Sequence, residues 1–259
     1  MRPDNIVPVI EDGLDLVAEW LRRARRVTVL TGAGVSAASG VPTFRGAGGL
    51  WRSFRLEDLA TAQAFERDPA LVWEWYAGRR EAIASVRPNA AHDVLGAWSR
   101  RWRGCVVITQ NVDDLHSRVG TRGLVRLHGS LWELSCWRGC GAPPWRNEDV
   151  PLAELPPLCP SCGGLARPGV VWFGEALPTA AIDAAVAACE CDVFLSVGTS
   201  SLVYPAAAFL THARHRGAFA VEINTEPTPA TDQVDLALTG PADQVLPRVE
   251  RLLKPISGT

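Results

Sequence analysis

Apolar residues recur along this chain in two rhythms. From Leu14 to Arg26 they return every three or four positions, with Leu14, Val17, Ala18 and Leu21 on one face. That is the period of an amphipathic helix. The run Val27-Thr28-Val29-Leu30 is instead short, unbroken and β-branched, as a strand covered on both faces of a parallel sheet should be. The stretch RRVTVLTGAGVSAASG therefore predicts strand, Gly-rich turn, helix. The strand pattern returns in CVVITQN, LVRLHG, DVFLSVGTS and AFAVEINTEP, the last running out into a loop. Helices are expected over Leu56–Val86, ending before Arg87-Pro88, over Ala90–Trp102, from about Pro205 to His215, and near Leu246–Leu253. PTFRGAGGLWRS reads as a mobile loop. Trp132–Ala166 loses all periodicity to Cys, Pro, Gly and Trp.

Strands alternating with helices predict an α/β fold built on a parallel sheet. The long helical stretch and the Cys-containing segment interrupt that alternation, so they read as insertions that build a smaller lobe. With 259 residues, 47% of them hydrophobic, the chain suits one large domain carrying such a lobe. The expected division is a single domain over 1–259. Its large lobe covers about 1–45, 88–131 and 167–259. The small lobe has a helical part near 46–87 and a Cys-bearing part near 132–166.

Charge and targeting signals narrow the function classes. A net charge of −2 without a basic patch gives nucleic-acid binding no support. The polar, Pro-broken start MRPDNIVPVIEDG is not expected to act as a signal peptide. No apolar run approaches the roughly 18 residues of a membrane span. A cytoplasmic, monomeric protein is the expectation. Seven cysteines are an odd number, and four stand as close pairs, Cys136 with Cys140 and Cys159 with Cys162. In a reducing compartment this favours metal over disulfides. Two knuckles can place four thiolates around one tetrahedral zinc, and a full set of four leaves no open position, so the zinc should be structural. Cys105, Cys189 and Cys191 lie in or beside apolar strands and read as buried packing residues.

Gly32-Ala33-Gly34-Val35-Ser36-Ala37 fits the dinucleotide fingerprint with Ala in the last place. Gly there permits a tight turn and close approach of backbone N–H groups to a pyrophosphate at a helix N-terminus. A turn that serves packing alone stays open. No strand ending in Asp or Glu follows at the usual spacing. Polar residues cluster where strands end: Gln110, Asn111 and Asp113; His128; Gly198, Thr199 and Ser200; Asn224 and Glu226. Ligand crevices of open α/β sheets lie at such ends. Of five histidines, His128 is the one placed to act as a base. His92 and His116 fall in helical stretches and read as structural, and His212 and His215 as the exposed end of a helix.

GAGVSAASGVPTFRG, TQNVDDLHSRVG, LHGS, the four-Cys module, RPGVVWFGE, VGTSSLVYPAA and EINTEPTP occur in this order. Together they resemble the sirtuins, NAD-dependent protein-lysine deacylases, over about residues 14–250. The resemblance implies a Rossmann-like large lobe and a zinc-bearing small lobe, with NAD and acyl-lysine meeting between them. Gly32, Ala33, Gly34, Thr43, Phe44, Arg45 and Trp51 would surround the diphosphate and nicotinamide side. Gln110, Asn111 and Asp113 would hold the nicotinamide ribose and carboxamide, and Gly198, Thr199, Ser200, Asn224 and Glu226 the adenosine half. Val171, Trp172, Phe173, Gly174 and Glu175 match the segment that pairs with the substrate peptide as a strand. The resemblance also implies the reaction. The amide oxygen attacks the ribose, nicotinamide leaves, and His128 as general base brings a ribose hydroxyl onto the imidate. Asn111 orients ribose and water, and the products are free lysine and O-acyl-ADP-ribose. Two features depart from the family: the first Cys pair is C-x3-C, and Thr43 stands where many sirtuins have Asp.

The stretch WEWYAGRREA adds the acyl chain. Its Tyr76 and Arg79 are three apart and share a helix face. AGGLWRSFRLEDLATAQAFERDPALVWEWYAGRRE resembles the class III sirtuins, whose Y-x-x-R pair selects succinyl, malonyl and glutaryl lysine. The plainer alternative is an exposed helix on which Arg79 stacks over Trp75. Mono-ADP-ribosyl transfer and plain deacetylation are the rival activities.

Overall fold

The computed structural model describes residues 11–43 and 56–253. Most of the expected loop PTFRGAGGLWRS, with Phe44, Arg45 and Trp51, lies outside the described residues. The strands along the chain are β1 (Arg26–Thr31), β2 (Gly104–Thr109), β3 (Leu124–Arg126), β4 (Gly129–Cys136), β5 (Trp145–Arg146), β6 (Ala166–Val170), β7 (Val193–Val197), β8 (Phe219–Asn224) and β9 (Leu236–Thr239). The helices are α1 (Glu11–Arg23), α2 (Leu56–Leu59), α3 (Ala62–Arg67), α4 (Pro69–Ala84), α5 (Ala90–Arg101), α6 (Leu115–Arg118), α7 (Thr179–Ala188), α8 (Ala208–His215) and α9 (Ala242–Leu253).

Six strands form one parallel sheet in the order β3-β2-β1-β7-β8-β9. The chain starts in the middle, winds outward to β3, then returns to β7 beside β1 and winds the other way. This is the doubly wound order, and its switch point lies between β1 and β7. The central strands are buried almost throughout, as their apolar runs require. One face carries a core with Leu14, Val17, Leu21, Leu95, Trp98, Leu246 and Val249 from α1, α5 and α9. The other is covered by α7 and α8, with Ala185, Phe209 and Leu210.

The small lobe is an antiparallel sheet in the order β5-β4-β6, against which α3 and α4 pack. Phe65, Val72, Trp73 and Tyr76 from the helices share a core with Leu131, Trp132, Leu134 and Trp172. The Trp73 indole N–H donates to the Ala166 carbonyl at 2.8 Å. The helical insertion and the cysteine segment are thus one packed unit. Its sheet reaches past 132–166 at both ends, from Gly129 to Val170.

Several elements differ from the sequence expectation. Among the described residues no α-helix directly follows the Gly-rich turn. Ala33–Val35 and Ala37–Ser39 are single 3-10 turns, and Gly40 at φ 88° ends them. The turn is pinned to the β7 loop, where the Gly34 N–H donates to the Gly198 carbonyl at 2.8 Å, so the backbone cannot wind on. Leu56–Val86 breaks into three helices, because Thr61 caps Ala64 N and Asp68 caps Leu71 N ahead of Pro69. The C-terminal helix starts at Ala242 and carries Pro247 inside. Helix α7, strand β9 and the three small-lobe strands had no place in the periodicity reading. The Ala-rich composition of TAAIDAAVAA was the signal for α7.

Candidate functional site

At the switch point the loops after β1 and β7 interlock. A Cβ on Gly32 would stand 2.7 Å from the Gly198 carbonyl oxygen, and one on Gly34 2.8 Å from the Gly198 Cα. Gly198 holds φ +59°, and a Cβ there would meet Val35 N at 2.6 Å. The three glycines allow two backbones to touch where side chains would hold them apart. Packing and cleft building are therefore one role here, because the same residues floor an open cleft of about 710 Å³.

Gly32, Ala33, Gly34, Thr43, Gln110, Asn111, His128, Gly198, Thr199, Ser200, Asn224 and Glu226 line this single cleft. So do Tyr76, Arg79 and the segment Val171–Glu175. Asp113 does not. It is 4% exposed, and accepts from the Ser36 hydroxyl at 2.7 Å and from Leu115 N at 3.0 Å. Burial pushes its carboxyl above the ordinary range, against those hydrogen bonds. Ser36 in turn accepts from the Asn111 amide at 3.1 Å, and the same amide donates to the Gly32 carbonyl at 3.0 Å. Asp113 thus braces the cleft from behind through Ser36 and Asn111.

Across the floor, Gln110 Nε2 donates to Thr199 Oγ1 at 2.8 Å and Asn224 Nδ2 to the Thr199 carbonyl at 2.9 Å. These bonds tie three strand ends together. Buried Glu222 holds the next loop by accepting from the Thr228 and Thr231 hydroxyls. Sequence reasoning missed it, because an acid inside a strand gives no sign of its partners.

His128 lies 3.0 Å through Nδ1 from the Gln110 carbonyl. A carbonyl can only accept, so Nδ1 carries the hydrogen and Nε2 is left with the lone pair. Burial lowers the His128 pKa, with the Gln110 bond opposing. The ring is thus neutral at pH 7, as a base must be. His92 and His116 are buried, and burial pushes them down to about 4 and about 3. They are neutral packing groups outside the cleft lining.

Tyr76 and Arg79, both on α4, line the cleft. Tyr76 is 3% exposed, and its hydroxyl oxygen accepts from the Trp172 indole N–H at 3.0 Å. Burial raises its pKa to about 12, so it stays a neutral hydroxyl. The half-buried Arg79 guanidinium lies 4.8 Å from the Trp75 ring centroid. The stacked arrangement and the cleft-facing one, alternatives in the sequence, coexist. Burial lowers the Arg79 pKa while Tyr76 and Asp113 oppose, and a guanidinium remains charged regardless. Its neighbour Arg80 points away. It is 1% exposed and donates to the carbonyls of Leu131, Asn147 and Asp149.

The segment Val171–Glu175 is a bend with one bridge, Thr61 to Phe173. Val171 N donates to the His128 carbonyl and Phe173 N to the Ala60 carbonyl, each at 3.0 Å. The segment joins His128 to the helical insertion. Ala60, Leu202 and Thr225 also line the cleft; they lie inside the quoted motifs but were not singled out there.

The Sγ atoms of Cys136, Cys140, Cys159 and Cys162 all lie within 4.8 Å of one another. Two of the pairs stand at 3.6 and 3.8 Å. Tetrahedral ligands at the usual Zn–S length sit about 3.8 Å apart, so the set fits one structural zinc despite the longer first knuckle.

Polar donors at both ends of a backbone-floored cleft suit an extended dinucleotide, and known proteins agree. A model described as the Sir2 family matches residues 32–205. "NAD-dependent protein deacylase 2" of Pyrobaculum aerophilum is 51% identical, over 92% of this chain and 95% of its own. "NAD-dependent protein deacylase 1" of Pseudomonas aeruginosa is 49% identical, over 91% and 97%. A solved Sir2 homolog–NAD complex superposes with a TM-score of 0.85 at 42% identity, covering 93% of this chain and 95% of that one. A Sir2 protein bound to a myristoylated histone peptide gives 0.76 at 32%, covering 95% and 98%. With its doubly wound sheet, its histidine at a strand end and its four-cysteine cluster, this chain belongs to the Sir2 family.

Proposed function

We propose that this protein is an NAD-dependent protein-lysine deacylase that prefers acyl chains ending in a carboxylate. NAD, when bound, supplies the ribose that takes up the acyl group as nicotinamide departs. The floor around Gly32, Gly34 and Gly198 would hold its diphosphate, Gln110 and Asn111 its nicotinamide side, and Asn224 and Glu226 its adenosine side. His128 Nε2 is the acceptor able to take a hydroxyl proton, and the Gln110 carbonyl stabilises the imidazolium that results. Asn111 is held by Gly32 and Ser36, so it can orient a hydroxyl or water without a change of rotamer.

One observation supports the acyl preference: Tyr76 and Arg79 line the same cleft as His128. A guanidinium offers a carboxylate a planar fork, and the neutral tyrosine adds a donor. Charge-assisted hydrogen bonds contribute roughly 1.5–3 kcal/mol each, so the pair supports about a hundredfold preference or more. An acetyl group would place a methyl against Arg79 and offer its guanidinium no carboxylate to grip.

The test compares kcat/KM on one peptide carrying succinyl- or acetyl-lysine, for wild type and Arg79→Met. Succinyl should win in the wild type, and most of that margin should vanish in Arg79→Met. A wild type that prefers acetyl rules out the acidic-acyl reading while leaving NAD-dependent deacylation intact. Label passing from adenine-labelled NAD to protein would instead favour ADP-ribosyl transfer.

A further inference from the structure

We infer that Trp172 is a positioning residue for acyl-chain selection, acting by fixing the direction in which the Tyr76 hydroxyl donates. This rests on the acidic-acyl reading above. The indole N–H is a donor only, so at 3.0 Å from Trp172 Nε1 the Tyr76 oxygen must be the acceptor. The tyrosine proton is then the free end of this pair, and among the described residues the hydroxyl has no other hydrogen-bond partner. A phenolic hydrogen prefers the plane of its ring and so has two orientations. The indole hydrogen occupies one side of the oxygen and leaves the proton the other. Accepting a bond also polarises the O–H and strengthens it as a donor.

The indole itself cannot swing away. Its backbone N–H donates to Glu175 Oε2 at 2.8 Å. The Arg167 guanidinium lies 3.7 Å from its ring centroid and forks onto both Glu175 oxygens, at 2.6 and 2.8 Å. Arg167 also donates to the Val170 carbonyl at 3.0 Å, and Phe65 tilts against the ring at 5.3 Å. Trp172 is 2% exposed. The ring is therefore held through its backbone and both of its surroundings, while its one polar atom is directed at the one hydroxyl of the acyl wall. A core tryptophan needs some partner for its N–H. Nothing in packing requires that partner to be the residue that reads the acyl chain.

The experiment is a cycle of Trp172→Phe, Tyr76→Phe and the double variant. It reads the ratio of kcat/KM for succinyl- over acetyl-lysine on one peptide. Trp172→Phe keeps a ring in the core but removes the donor, and should lower the ratio about fivefold, mainly through the succinyl KM. In the Tyr76→Phe background the same change should leave the ratio where it was. A ratio that Trp172→Phe does not change, or lowers equally in both backgrounds, overturns the proposal. Equal loss on both acyl groups would show a packing role only. Should Trp172→Phe fold poorly, a site-specific benzothiophene isostere replaces the N–H by sulfur at the same ring size, with the same expected ratio. The wild-type arm stands apart: acetyl preference there fails the acidic-acyl reading, whereas succinyl preference with an inert Trp172 fails only this inference.

Discussion

Arg79 and Arg80 are neighbours in sequence with the same side chain, and the structure gives them opposite duties. Replacing each by Met tests that division. Arg80 is 1% exposed and donates to three carbonyls and to the Asn147 side-chain oxygen, from Leu131 at 3.2 Å to Asn147 at 2.8 Å. Its guanidinium lies 5.1 Å from the Trp132 centroid. Methionine fills much of the volume and leaves the buried Leu131 carbonyl and the part-buried acceptors of Asn147 and Asp149 without this donor. Charge-assisted bonds of roughly 1.5–3 kcal/mol each would sum too high, since the burial cost of the cation is recovered when it goes. Leaving the buried Leu131 carbonyl without its donor costs about 1–3 kcal/mol, which for a chain of this size lowers Tm by roughly 2–12 °C. Arg79 is half-buried and rests on Trp75, a contact of roughly 0.5–1 kcal/mol, so Arg79→Met should shift Tm by only about 1–4 °C. The assay is calorimetry of the zinc-loaded protein at one scan rate, beside kcat/KM on succinyl peptide. Arg80→Met should lose stability, and Arg79→Met should lose succinyl turnover at near-native Tm. Equal Tm shifts, or a harmless Arg80→Met, would refute the assignment of one arginine to the wall and one to the cleft.

His128→Ala should abolish deacylation while NAD still binds by calorimetric titration; a variant with wild-type turnover would remove the base role. Because burial sets the His128 pKa below its ordinary 6.5, the neutral base persists to lower pH than in free histidine. The kcat/KM profile should stay level through pH 7 and fall only below 6.5, a limb that an acid midpoint well above 6.5 would contradict. Metal analysis after a chelator wash should return about one zinc per chain, and forced removal should lower Tm by several degrees or more, since structural zinc contributes folding free energy outright. Zinc-free protein of unchanged Tm would count against a structural metal.

Much of this was legible without coordinates. The apolar runs at Val27–Leu30, Cys105–Thr109 and Val193–Val197 could only be buried strands, and the sheet puts all three side by side. The polar residues at their ends gather in one cleft because parallel strands all finish on the same edge. The paired cysteines converge for a similar reason, as two short knuckles on one small sheet have few other places to point.

Failures of the local reading mark where tertiary contact overrides local preference. GAGVSA reads as strand-turn-helix, yet the Gly198 loop seizes the turn and stops the winding. Asp113 reads as a ligand group, and its bond to Ser36, 77 positions away, leaves no trace in the spacing. The Trp172 to Tyr76 hydrogen bond joins residues 96 apart, and no spacing rule reaches that far.

The sequence by itself determined five of the six strands of the parallel sheet, which types of side chain gather at their ends, and that Tyr76 and Arg79 share a face. Periodicity and chemistry are local properties, and they survive in one dimension. Only the tertiary structure decided that Arg79 lines the cleft while Arg80 enters the wall, that Asp113 braces the floor, and that Trp172 holds the tyrosine. Those outcomes depend on which buried polar groups find partners, and the partners come from distant parts of the chain.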